Sequence, residues 1–194
     1  MRMAADFRRL DARRRHEGWI AFALFCLTIP LANWMIGNVG TRCIPGGPCL
    51  VPVAPGLEAP SGVLTVGLAL VLRDLVQRRL GPIAGFAAIL AGTALSVVLA
   101  APSVVAASAL AFFLSEVADF AVYSPLQRRR FVLAVIASGL VGIVVDSVVF
   151  LQVAFGSLDF LAGQVVGKVW MLALAMPFVI WLRRRDGRLG LAAR

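Results

Sequence analysis

Arginine-rich and arginine-poor connections alternate without exception between six apolar stretches of this chain, and that alternation constrains the fold more than any other feature. The tail before residue 19 holds six arginines, the connection at 41–60 holds only Arg42, and Arg73, Arg78 and Arg79 mark the end of the second stretch. The turn near 100–103 has none, whereas Arg128, Arg129 and Arg130 follow the fourth stretch. The turn at 156–160 again has none, and Arg183, Arg184, Arg185, Arg188 and Arg194 close the chain. Basic loops are retained on the cytoplasmic face of a membrane. The pattern therefore predicts an all-α polytopic membrane protein with six transmembrane helices and both termini cytoplasmic. The expected spans are 19–39, 61–80, 82–100, 102–123, 131–155 and 161–182, with a tight turn at Ala-Ala-Pro 100–102.

Composition agrees. Of 194 residues 60% are hydrophobic and the mean hydropathy is +0.90, too apolar for a soluble domain of this size. The net charge of +9 does not point to nucleic acid, because the arginines sit at the edges of apolar runs and not on a basic face. The organisation expected is a basic cytoplasmic segment at 1–18, a six-helix membrane domain at 19–183 and a basic cytoplasmic tail at 184–194. In the first segment Met3, Phe7 and Leu10 are spaced for one face of a short interfacial helix.

The connection at 41–60 carries Pro45, Pro48, Pro52, Pro55 and Pro60. That density argues against helix and against a central strand, and predicts a stiff cover over the outer mouth of the bundle. Cys43 and Cys49 flank Ile-Pro-Gly-Gly-Pro with no histidine near them to complete a zinc set. On the outer side of the membrane they could close a small disulfide turn. Cys26 lies in an apolar run and reads as packing.

Four ionisable residues fall inside spanning stretches: Glu116, Asp119, Asp146 and Lys168, the only lysine of the chain. A charge at bilayer depth costs roughly 3 kcal/mol or more, so it persists where it faces a polar interior. Counted from the helix ends, Asp146 and Lys168 share the outer half and could pair. Gln164 lies one turn before Lys168, and Asn33 is at similar depth. Glu116 and Asp119 lie on one face in the inner half, flanked by Phe112 and Tyr123, with Arg73 and Asp74 at comparable depth. Two carboxylates this close make one a candidate proton carrier. The plainer alternative has Arg73 pairing with Asp74, Glu116 or Asp119 only to fix helix packing, and Asp146 with Lys168 as a structural ion pair. Small residues stand beside these positions, among them Ser138, Gly142, Gly163 and Gly167. They suit close helix approach and leave room for a ligand.

Leu-Arg-Asp-Leu-Val-Gln-Arg-Arg-Leu-Gly at 72–81, Ser-Glu-Val-Ala-Asp-Phe-Ala-Val-Tyr at 115–123 and Ala-Ser-Gly-Leu-Val-Gly-Ile-Val-Val-Asp-Ser at 137–147 together resemble the VUT family, the queuosine precursor transporters. Lys168 and Asn33 fall where that family carries a lysine in its last helix and an asparagine in its first. The resemblance runs from about 19 to 183. It implies a transporter of the inner membrane that imports 7-cyano-7-deazaguanine or a related deazapurine, with a fold akin to the substrate-binding subunits of vitamin uptake systems. A deazaguanine offers a ring N–H beside an exocyclic amine, a pair of donors that one carboxylate can accept. It also offers a carbonyl oxygen suited to Lys168, Gln164 or Asn33, and a flat face to stack on Phe112, Tyr123, Trp34 or Trp170. The candidate substrate-binding residues are accordingly Asn33, Asp74, Phe112, Glu116, Asp119, Tyr123, Asp146, Gln164, Lys168 and Trp170. Either the Glu116–Asp119 pair or Asp146 could receive the base.

The partners expected are the small-molecule substrate and the lipid bilayer, with a homo-oligomer left open; no cofactor, metal or nucleic acid is expected. The nearest alternative is the binding subunit of an ATP-driven vitamin uptake system, for which separate partners would supply ATP because the chain lacks a phosphate-binding glycine loop. An intramembrane enzyme is disfavoured, since the single histidine, His16, lies in the tail, away from any nucleophile in the spans.

Overall fold

A computed structural model of the chain describes residues 2–45, 47–100 and 105–189, with side chains from residue 10 onward. In chain order the elements are α1 (Arg2–Asn38), β1 (Arg42–Cys43), β2 (Cys49–Ala54), β3 (Leu57–Pro60), α2 (Val63–Leu80), α3 (Pro82–Leu99), α4 (Val105–Leu126), α5 (Phe131–Phe155) and α6 (Leu161–Leu189). The six expected helices are all present. Of the expected turn at 100–102, residues 101 and 102 lie outside the described residues.

Five of the six helices are long and apolar enough to cross a membrane, and α2 is the exception. It carries Arg73, Asp74, Arg78 and Arg79, all buried, together with buried Gln77. Side chains of this kind cannot face hydrocarbon, so the helix that bears them takes the position where protein surrounds it. In keeping with this, α2 touches each of the other five helices. Around it α1 packs on α3, α3 on α4, α4 on α5 and α5 on α6. Phe25, Val76, Ala88, Ile143 and Val179 form part of the buried core. Leu27, Ile83, Val98 and Leu174 point outward, the apolar exterior expected of helices in a bilayer. Gly67 sets the closest approach of α2 to α6: a Cβ there would lie 2.7 Å from the backbone oxygen of Lys168.

Three boundaries differ from expectation. The basic N-terminal segment forms no separate interfacial helix, because α1 runs unbroken from Arg2 to Asn38. Nothing between residues 1 and 39 ends a helix except Pro30, which α1 tolerates internally. At the other end α6 continues past residue 183 to Leu189, since its last turns remain anchored by Asp186, buried beneath Arg78 and Arg79. Helix α4 ends three residues late, at Leu126, and includes Pro125.

The prolines do not keep the 41–60 segment from forming strands, contrary to expectation. β1, β2 and β3 make an antiparallel sheet in that order, with β2 central and Pro52 inside it. The sheet admits Pro52 because β1 is only two residues long and pairs no further than Leu50. Pro52 thus has a strand on one side only, and the ladder with β3 is irregular between Pro52 and Ala54. Those are the places where a strand tolerates a missing N–H. Cys43 and Cys49 face each other in the register and are joined by a disulfide. The sheet lies on the start of α6, where Gly163 leaves no room for a Cβ against the carbonyl oxygen of Glu58. Ser61 Oγ donates to the carbonyl of Met35 at 2.7 Å, tying the sheet's exit to α1.

Candidate substrate cavity

Beneath the sheet, a cavity of about 90 Å³ lies among α1, α2, α4, α5 and α6, with Ser96 of α3 at its edge. Most of its wall is aliphatic, including Ile29, Val66 and Leu70. Polar groups enter from two sides. On one, α5 and α6 bring Asp146, Gln164 and Lys168; on the other, α4 brings Ser108, Ser115 and Glu116, with the ring of Phe112 between. Asn33 also lines the cavity, as do Pro60, the last residue of β3, and Gly62 just after it.

Lys168 and Asp146 meet as their depths predict. Lys168 Nζ donates to Asp146 Oδ2 at 2.6 Å, to Ser147 Oγ at 2.8 Å and to Gln164 Oε1. All three ammonium donors are thereby used, which is what a buried lysine needs. Gln164 reaches it because the two stand one helical turn apart. Asp146 keeps slight exposure, 8%, and lines the cavity. Asn33 Nδ2 is turned back to the carbonyl of Ile29 at 2.9 Å.

The second polar group lies deeper and is built on α2. Arg73 Nε donates to Glu116 Oε2 at 2.8 Å, Nη1 to Gln77 Oε1 at 3.0 Å, and Nη2 to Asp119 Oδ1. Asp74 Oδ1 is 3.0 Å from Nη1, and Ser138 Oγ approaches Asp74 Oδ2 at 3.4 Å. The guanidinium carbon lies 5.7 Å from the Phe120 ring centre and 5.8 Å from that of Tyr123. The packing role foreseen for Arg73 is thus real, but it engages all three acids at once. Glu116 belongs to both groups: one oxygen is held by Arg73 and the side chain lines the cavity.

Six of the ten candidates therefore surround one space: Asn33, Phe112, Glu116, Asp146, Gln164 and Lys168. Asp74, Asp119 and Tyr123 are buried in the Arg73 group and do not line the cavity. Trp170 is 57% exposed and its indole N–H donates to the carbonyl of Val53 at 3.1 Å, so it holds the sheet instead of facing a ligand. Trp34 likewise points outward.

Sequence reading overlooked Ser147, whose only signal was its place beside Asp146, and the hydroxyls of Thr28, Thr65, Ser96, Ser108 and Ser115 around the cavity. It also overlooked the charge network at the end opposite the sheet. There Asp186 accepts from Arg78 Nη2 at 3.0 Å and from Arg79 Nη2 at 2.7 Å. Glu17 pairs with Arg79 Nε at 3.0 Å and accepts from Arg185. α1, α2 and α6 are thus bound together at the end that bears both termini. Asp186 is the one acid in an arginine-rich tail, a signal that could have been read.

A bundle of apolar helices around a charged central helix, with a small, mostly aliphatic cavity beneath a sheet at one end, is the architecture of a multi-pass membrane protein. Residues 94–182 match the family model described as "Putative vitamin uptake transporter", which agrees with the VUT resemblance. The matched stretch runs from α3 through α6 and contains Phe112, Glu116, Asp119, Asp146, Gln164 and Lys168. Asn33 and the α2 residues Arg73 and Asp74 precede it. No curated protein and no solved structure matches the chain.

Proposed function

We propose that this protein imports 7-cyano-7-deazaguanine or a closely related deazapurine across the inner membrane, with both termini cytoplasmic and the sheet outside. The observation that carries the reading is the pairing of wall chemistries in one cavity. Glu116 offers a carboxylate for the two adjacent donors of the base, Lys168 with Gln164 suits its carbonyl, and Phe112 offers a face for its ring. The VUT resemblance supports the same substrate class. A cavity of about 90 Å³ is smaller than the ~300 Å³ or more usual for ligand sites. The proposed cycle therefore has the sheet and the mouth of α1 move aside to admit the base.

Uptake of labelled 7-cyano-7-deazaguanine into cells lacking its synthesis tests the proposal; no uptake above empty-vector cells would reject it. Reporter fusions that place the C-terminus outside would reject the orientation. The description of the matched family as vitamin uptake favours a second reading, a binding subunit driven by a separate ATPase. Proteoliposomes containing only this chain separate the two, because uptake there excludes a need for that partner.

A further inference from the structure

The Arg73 group holds one cation against three acids, and that imbalance leads beyond the identity of the substrate. Arg73, Asp74, Glu116 and Asp119 are each no more than 1% exposed, so water does not balance the excess negative charge. Asp119 Oδ2 is buried and receives no hydrogen bond from any donor among the described residues, and Asp74 Oδ1, 3.0 Å from Arg73 Nη1, meets that cation without the alignment of a hydrogen bond. Both aspartates are held on the same guanidinium, Asp74 at Nη1 and Asp119 at Nη2, and two carboxyl groups drawn together in a buried site repel unless a proton is bound between them. Tyr123 adds an independent sign. One turn from Asp119 and fully buried, it has no partner for its hydroxyl among the described residues, and its ring packs against Arg73.

The other charged groups do not remove the imbalance. Arg78, on the same helix, is bound to Asp186 and stacks on Phe131. Asp146 of α5 and Lys168 of α6 neutralise each other. α1 and α3 present no charged side chain to the adjoining cavity, their polar groups there being Thr28, Asn33 and Ser96. Among the described residues no cluster has the make-up of a metal site, so the missing positive charge is better supplied as a proton than as a metal ion.

We propose that Asp74 and Asp119 share a bound proton, and that this proton site is linked to the cavity through Glu116. The link follows from the hydrogen bonds. A ligand that draws Glu116 towards its own N–H donors frees the Nε–H of Arg73 for the two aspartates. With more of the guanidinium to themselves both aspartates can ionise, and the shared proton leaves. Ligand entry and proton release are then two sides of one equilibrium. This second half rests on the cavity being the ligand site; the existence of the proton does not.

Infrared spectra of the purified full chain at neutral pH test the first half without any ligand. A carbonyl band of a protonated carboxyl group is expected, shifted in deuterated buffer and lost in both Asp119→Asn and Asp74→Asn, each checked for folding by gel filtration. Absence of the band, or its survival in both folded variants, overturns the proton site. So does a band replaced by a sodium-dependent change, which would make the occupant a cation. Adding 7-cyano-7-deazaguanine in weak buffer tests the second half. Release of about one proton per ligand bound is expected, together with binding that weakens about tenfold for each unit of falling pH over the range where the proton is held. Binding without proton release overturns the link. Failure of that probe to bind counts against the proposed substrate, while the infrared result still decides the proton site.

Discussion

The two buried ionic groups of this bundle follow opposite rules. Around Lys168 one cation meets one acid and two neutral oxygens, and every ammonium donor is matched. Around Arg73 one cation meets three acids, and among the described residues two carboxylate oxygens, Asp74 Oδ1 and Asp119 Oδ2, receive no well-aligned hydrogen bond. The first group is self-sufficient and opens on the cavity, whereas the second is incomplete and lies behind it. A self-sufficient group can be structural or can trade its partners for those of a ligand. An incomplete one has to take something up. The contrast teaches that buried charge alone does not mark a site; the balance within each group separates what holds the fold from what can respond.

The largest test removes the cation that three acids share. Arg73→Ala leaves them facing one another, and a loss of at least about 3–5 kcal/mol is expected, seen as loss of the folded peak on gel filtration. A variant that folds with near wild-type melting would show that the acids are already neutral without Arg73, and would break the comparison. Lys168→Ala should cost about 3 kcal/mol and abolish transport, because Asp146 loses its partner. Adding Asp146→Asn should restore folding but not binding. Near wild-type ligand affinity in that double variant would make the pair purely structural and leave Glu116 as the recognition group.

Glu116→Gln separates the roles further. The amide oxygen still accepts from Arg73, so stability should change by no more than about 1 kcal/mol. A second carboxylate oxygen is gone, however, and affinity for the deazapurine should fall at least about tenfold, near 1.4 kcal/mol, by titration calorimetry. The smallest effect is expected for Trp170→Phe, which loses only the hydrogen bond to Val53. Ligand affinity should stay within about twofold, and a larger drop would return Trp170 to the site.

Much of this was legible from residue order because membranes impose one-dimensional rules. Arginine alternation predicts six helices, and depth along a helix brings Asp146 to Lys168. Depth does not say which way a helix is turned, so the three partners of Arg73 could be foreseen only as alternatives. The same gap explains the tryptophans. Trp34 and Trp170 have as much reason to sit at the membrane surface as in a site, and only the fold decides. Pro52 misled differently: a proline count treats every strand position alike, whereas a strand flanked on one side has room for it. The Asp186 network was missed because a polar tail reads as solvated, and helix α6 carries it back under α2.

The central place of α2 also bears on how the chain is made. Its Arg73 emerges from the ribosome well before its partners, since Glu116 lies 43 residues later and Asp119 46 residues later. Asp186, which binds Arg78, follows after 108 residues. Each charge left in lipid during that interval costs about 2.5–3.5 kcal/mol at a helix centre, so α2 gains little by settling alone. It has to wait beside the insertion machinery, or dip in and out of the bilayer, until α4 is synthesised. A chain halted before residue 116 would thus leave α2 accessible to water-borne reagents, and one halted after residue 126 would not.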